Sequence, residues 1–125
     1  MTSGGLSDDK TSRKNYQQLR QRLLNAKDFI DNNCCSDISL ERIATEAYLS
    51  EFYFVRLFKE VFGTSPYQYY LMAKMQVAAE LLKTTDQPVG AIGEKVGFKD
   101  IYSFSRSFKR IMKASPTAFR EMKYV

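Results

Sequence analysis

Apolar residues along this chain recur at steps of three and four, the spacing that lines one face of an α-helix. The first such stripe is Tyr16, Leu19, Leu23, Ala26 and Ile30, and it runs out at Asn32-Asn33. A short helix is expected next, capped by Ser39, with Leu40, Ile43, Ala44 and Ala47 inward. Tyr48 to Ser50 make a tight connection. Ser50 then caps a longer helix that buries Phe54, Leu57, Phe58, Val61 and Phe62 and stops at a left-handed Gly63. Ser65 and Pro66 open another helix, predicted to reach about Lys83 with Tyr70, Ala73, Val77, Leu81 and Leu82 inward. At roughly 1.5 Å per residue it is about 27 Å long. Pro88 begins a short helix with Ile92, Gly93 and Val96; Gly97-Phe98 turns; Asp100 caps a helix burying Phe104, Phe108, Ile111 and Met112. Ala114-Ser115-Pro116 starts a last short helix through Phe119. No stretch alternates as a strand does, so the pattern predicts an all-α fold.

The pattern also repeats. "YFVRLFKEVFGTSP" (Tyr53–Pro66) and "SFSRSFKRIMKASP" (Ser103–Pro116) share Phe, Arg, Phe, Lys, Ser and Pro at the same places, offset by 50. Each copy is a short helix, a turn and a longer helix, the layout of a helix-turn-helix, whose second helix enters the DNA major groove. That groove is the one whose edge pattern distinguishes all four base pairs. With Phe and Leu or Ile inward, the opposite face carries Arg56 and Lys59 in the first copy. In the second it carries Arg106, Lys109 and Arg110, with the small hydroxyls of Ser103, Ser105 and Ser107 permitting close approach. The expected organisation is a polar, aperiodic arm or linker remnant (1–13), a first helix-turn-helix subdomain (14–64), a linking helix (65–84) and a second subdomain (85–125).

Charge sharpens the picture. The net charge is +5, and residues 98–125 hold seven basic side chains against two acidic, so the whole excess lies there. Such asymmetry points to an anionic partner, with nucleic acid first and a membrane surface second. The apolar helix faces are needed for the core, and no run approaches the roughly 18 apolar residues of a membrane span, so no membrane partner is expected. The N-terminus lacks the apolar region of a secretory signal, which makes the cytoplasm the expected location. The chain has no His, and its two cysteines, Cys34 and Cys35, are adjacent. A zinc site or a Cys/His catalytic pair is therefore not expected, and no Gly-rich phosphate loop or carboxylate cluster suggests an enzyme or a cofactor. The rival is an all-helical protein-interaction module, favoured by the apolar Phe52, Tyr53 and Val55 on an outer face. An apolar outer face also suits thymine methyl groups, and salt dependence separates the two readings.

The second copy, "IGEKVGFKDIYSFSRSFKRIMKASP", resembles the signature of AraC/XylS-type transcription regulators, roughly I-A-x-x-x-G-F-x-D-x-S-Y-F-x-R-x-F-K-x-x-x-G-x-S-P. "IATEAYLSEFYFVRLFKEVFGTSPYQY" is similar to the family's less strict first unit, and the likeness extends over about residues 15–121. The resemblance implies about seven helices: two helix-turn-helix subdomains joined by one long helix, with recognition helices in successive major grooves. It implies base-facing Phe52, Tyr53, Val55 and Arg56 in the first unit and Tyr102, Ser103, Ser105 and Arg106 in the second, with Lys59, Lys109 and Arg110 on phosphates. Double-stranded DNA is the implied partner, RNA polymerase a further one for an activator, and a missing or separate sensory domain is expected. The chain departs from the pattern at Gly93, where Ala is usual and where Gly costs a helix up to about 1 kcal/mol. It departs again at Lys113, the helix-ending Gly position, and at "YSF" in place of "SYF".

Overall fold

The computed structural model describes residues 2–122. Among the described residues seven helices follow one another: α1 (Thr2–Asn33), α2 (Leu40–Glu46), α3 (Glu51–Phe62), α4 (Pro66–Thr84), α5 (Val89–Lys95), α6 (Ile101–Met112) and α7 (Pro116–Glu121). No strand occurs among the described residues. The arm expected over residues 1–13 is helical from Thr2 onward, and Met1 lies outside the described residues. Once a helix is nucleated, each further residue adds a hydrogen bond, so α1 continues through a segment that has no apolar periodicity to announce it.

The described residues divide into two compact units: those up to Ile30 with Ser39–Pro66, and Asp31–Ile38 with those from Tyr67 onward. In the first unit Leu23, Ala26, Ile30, Ile43, Ala44, Ala47, Phe54 and Phe58 are buried. Phe54 and Phe58 meet edge to face with centroids 5.5 Å apart, and Phe58 meets Phe62 at 4.6 Å. Tyr16, expected on the buried stripe of α1, is 56% exposed; the buried part of that stripe starts at Leu23.

The second unit is built on α4. Met75, Ala78, Ala79 and Leu82 form one core cluster with Ile92, Val96, Phe104 and Phe108, and Leu81, Phe98, Ile111 and Phe119 pack around it. The helix expected to act as a linker thus supplies one wall of this unit's core. Its buried face matches the expected one at Tyr70 and Leu82 and departs from it at Val77. Val77 is 36% exposed, whereas Leu71, Met75 and Ala78, spaced four and three apart, are buried.

The two helix-turn-helix copies correspond closely along their longer helices. Along α3 and α6 every position has the same burial class except the pair Tyr53 (exposed) and Ser103 (half-buried). Each turn needs one left-handed residue, Tyr48 at φ 56° and Gly97 at φ 98°. The next amide then closes the turn, Leu49 N–H donating to Ala44 O at 3.2 Å and Phe98 N–H to Gly93 O at 2.9 Å. Both α3 and α6 also end left-handed, at Gly63 (φ 77°) and Lys113 (φ 68°). Lys113 thus adopts the conformation a Gly would, which costs a side-chain-bearing residue about 1–2 kcal/mol.

Gly93 has a reason that helix propensity conceals. A Cβ there would lie 2.8 Å from Cγ and 3.0 Å from Cβ of Phe104. The close crossing of α5 on α6 leaves no room for a methyl group. Gly93→Ala gains about 1 kcal/mol of propensity but overpacks the crossing by about 1–3 kcal/mol, so thermal denaturation is expected to show a less stable protein. A rise in melting temperature would mean that the crossing relaxes freely. Phe58 and Phe108 are both fully buried. Replacing either by Ala is expected to cost about 3–5 kcal/mol in chemical denaturation, and losses under about 1 kcal/mol would contradict the assignment of faces.

Candidate nucleic-acid interface

Both α3 and α6 begin on a side-chain cap. Ser50 Oγ accepts from Tyr53 N–H at 3.3 Å, and Asp100 Oδ1 accepts from Ser103 N–H at 2.8 Å. Asp100 Oδ2 accepts a second bond from Ser103 Oγ–H at 3.0 Å. These two bonds, the backbone one first, hold the Asp100 carboxyl below its usual value of 3.8. A depressed value means that the cap's contribution to stability is present above the ordinary carboxylate range and is lost as pH falls through the lowered one. The cap also occupies the Ser103 proton. Of the residues expected to face bases, Ser103 is therefore the one already committed within its own helix, with its hydroxyl oxygen left as an acceptor.

The remaining expected residues lie on the outer faces, because burial of Phe54/Phe58 and Phe104/Phe108 fixes the phase of each helix. Phe52 and Tyr102, at equivalent positions, are 80% and 76% exposed. Tyr53, Arg56 and Lys59 on α3 and Arg106, Lys109 and Arg110 on α6 are exposed, while Val55 and Ser105 are half-buried beside them. Glu51, Phe52, Val55 and Arg56 line an open, mainly apolar concavity of about 610 Å³.

Electrostatically the two faces differ. Arg56 Nε stands 3.5 Å from Glu60 Oε1, both side chains well exposed. A pair of this kind is worth at most about 1 kcal/mol and gives way readily to a better partner. The α6 position equivalent to Glu60 holds Arg110. Residues 50–62 are consequently neutral overall, whereas residues 99–113 carry five basic side chains against one acidic.

Two cations that position the second face escaped the sequence reading. Lys74 is buried, 6% exposed, and its Nζ donates to Val96 O at 3.1 Å, at the C-terminal end of α5. The ammonium also lies 4.5 Å from the Tyr70 ring centroid and 5.5 Å from that of Phe98. It packs so closely on the turn that a Cβ at Gly97 would come within 2.6 Å of it. Lys74 thus ends α5 and pins the turn that delivers α6. A Lys between Leu71 and Met75 on the buried stripe was the available signal. Arg120, counted in the basic excess, is also committed internally. Its Nε donates to Leu82 O at 3.1 Å, and Nη2 donates to Thr85 O at 3.2 Å and Gln87 O at 2.7 Å. That staple ties α7 to the connection between α4 and α5, and no local pattern announces it.

Among the described residues no group of three or more His, Cys, Asp or Glu is arranged to hold a metal ion. No helix there is long and apolar enough to cross a membrane.

Comparison with known proteins places this geometry. A family profile described as a helix-turn-helix domain matches residues 43–122. The chain is 42% identical over 84 residues to the MmsAB operon regulatory protein of Pseudomonas aeruginosa, covering 67% of this chain and 27% of that protein. It is 31% identical over 93 residues to the multiple antibiotic resistance protein MarA of Salmonella typhimurium, covering 74% of this chain and 73% of MarA. Among solved structures, an AraC-type DNA-binding regulator from Chromobacterium violaceum is similar with a TM-score of 0.78 at 28% identity, covering 83% of this chain and 93% of the other. The DNA-binding domain of AdpA, solved with a target DNA, has a TM-score of 0.74 at 26% identity, covering 79% and 89%. Of the first three curated relatives, the chain spans 27%, 42% and 31% of their length. With two helix-turn-helix copies in the same phase and these likenesses, the chain belongs to the AraC-type helix-turn-helix family of DNA-binding transcription regulators.

Proposed function

We propose that the outer faces of α3 and α6 are the surfaces with which this chain reads double-stranded DNA, one recognition helix in each of two successive major grooves. The observation that carries the reading is the shared phase of the two helices: equivalent buried Phe pairs, with Arg56 and Arg106 outward at equivalent positions. Phe52, Tyr53, Val55 and Arg56 face base edges in one groove, and Tyr102, Ser103, Ser105 and Arg106 do so in the other. Arg suits the paired acceptors of guanine, and the apolar side chains suit thymine methyls. Lys59, Lys109 and Arg110 contact phosphates and set register without reading sequence. The AdpA domain in complex with its target DNA supports this use of the fold. RNA polymerase as the protein partner, a separate sensory domain as the source of control, and the cytoplasm as the location complete the proposal. None of these roles calls for catalysis or a cofactor.

The two faces divide the labour. Counterion release makes affinity grow with each phosphate neutralised, so the α6 unit supplies most of the salt-dependent binding. Arg56, in a neutral unit, contributes more to the choice of site. Lys109→Ala with Arg110→Ala is expected to weaken all duplexes similarly and to flatten the log K against log salt slope by up to about two units. Arg56→Ala is expected to cost about 1–3 kcal/mol on a preferred duplex and much less on random DNA. Affinities at several salt concentrations on both duplexes measure the contrast; equal losses of affinity and slope for the two variants would sink it. Because two reading heads lie in one chain, a monomer is expected to protect two major-groove segments about one turn apart in footprinting. Protection of a single segment, or binding by a dimer alone, would contradict that geometry.

A further inference from the structure

Just beyond α1, in the second unit, the chain brings two sulfurs together. Cys34 is buried, Cys35 is exposed, both are free thiols, and their Sγ atoms stand 4.0 Å apart. That is about twice the roughly 2 Å of an S–S bond, a span suited to a bridging atom rather than to a direct link. Drawing both sulfurs onto one such atom turns the exposed Cys35 toward the buried Cys34. Cys34 also borders an open cleft of about 380 Å³ lined by the apolar Ala73, Val77 and Leu81 and the carboxylates Asp31 and Glu80. This cleft is where the partly exposed Val77 faces.

Three properties select a ligand. Two sulfurs fall short of the four-ligand shell of a structural zinc site, and no third ligand of that kind joins them among the described residues. The carboxylates disfavour an anion. Burial, and then the adjacent Cys35, push the Cys34 thiol up to about 11. The ligand must therefore react with protonated thiols and carry their protons away. Trivalent arsenic, present in neutral water as an uncharged oxide or hydroxide, meets all three demands.

We propose that the Cys34–Cys35 pair and its adjoining cleft form a binding site for trivalent arsenic, inorganic or aryl-substituted, coupled to the second recognition helix. An arsenoxide R–As=O and two Cys thiols give R–As(S–Cys)₂ and one water. Two As–S bonds form, both S–H bonds and the As=O bond break, and no atom changes oxidation state. In the aryl case the ring occupies the cleft against Val77 and Leu81. The coupling runs through the Cys35 backbone. A Cβ at Gly97 would lie 3.4 Å from Cys35 O and 2.6 Å from Lys74 Nζ, so all three crowd one spot. The next residue is tied down as well, Ser36 O accepting from Tyr70 O–H at 2.6 Å. Turning Cys35 into the chelate acts on the turn that Lys74 pins ahead of α6. The coupling rests on the DNA-binding reading above; the site itself does not.

Phenylarsine oxide and arsenite are each titrated against the full chain, followed by intact mass and free-thiol counting. Affinity is then measured for a duplex selected from a random pool. The expected result is one arsenic per chain, loss of both thiols, reversal by a dithiol but not by a monothiol, and DNA affinity at least about fivefold lower. Cys35→Ser, an exposed change, should keep untreated DNA affinity and lose monothiol-resistant capture. Capture of the aryl compound alone supports the site and assigns the affinity to the cleft, while equal capture supports it and assigns the affinity to the sulfur pair. Monothiol-reversible labelling that is the same in the parent and Cys35→Ser would overturn the site. Full capture with unchanged DNA affinity would overturn the coupling. Failure of the untreated chain to bind any duplex would count against the DNA-binding reading alone, with the capture result still deciding the site.

Discussion

Everything this chain presents to solvent on its recognition helices depends on two pairs of buried phenylalanines. Phe54 and Phe58 in α3, and Phe104 and Phe108 in α6, lie four residues apart and are wholly inaccessible. Two large rings buried on successive turns leave a helix one rotational setting, since a shift of one residue would turn them about 100° toward water. The exposed face follows as the complement. The neighbouring contacts sharpen the setting: Phe104 sits over Gly93, and Phe108 meets Phe119 at 5.4 Å, nearly perpendicular. Surface chemistry is here a consequence of core geometry.

The helices, the duplicated layout and the outward residues were legible in the sequence because each rests on short-range rules. Three- and four-residue spacing marks a buried face, while Ser39, Ser50, Asp100 and Ser115 mark starts that all prove to be real caps. What was hidden depends on partners distant in the chain. Gly93 looked like a weak helix residue because its neighbour Phe104 is eleven positions away and nothing local shows the crossing. Arg120 entered only as one more basic residue in the C-terminal excess because the carbonyls it holds, on Leu82, Thr85 and Gln87, precede it by more than thirty residues. The extension of α1 to Thr2 lay outside any periodic pattern. Val77 was misplaced on α4 because several sides of that helix are apolar, and the stripe chosen passed over the buried Met75.

The placement of charge follows a similar logic. Lys74 and Arg120 are cations used as structural parts, each satisfying carbonyls where a helix ends, as basic groups do well at helix C-termini. Arg56 is balanced by Glu60 within its own helix, whereas Arg106 has an arginine in place of that glutamate. A count of basic residues therefore overstates the charge that is free to meet a polyanion, and it does so unequally across the two units.

The turn between α5 and α6 is one residue longer than the turn between α2 and α3. Tyr48 aligns with Gly97 and Leu49 with Phe98, but Lys99 has no counterpart before the cap. The repeats are thus homologous in plan and not interchangeable as parts. A chimaera that transplanted α6 alone into the first unit would bring a cap, Asp100, made for the longer approach. The smallest portable module is the turn together with its recognition helix, and an inserted or deleted residue at position 99 would alter how one reading head is presented while leaving the other in its native frame.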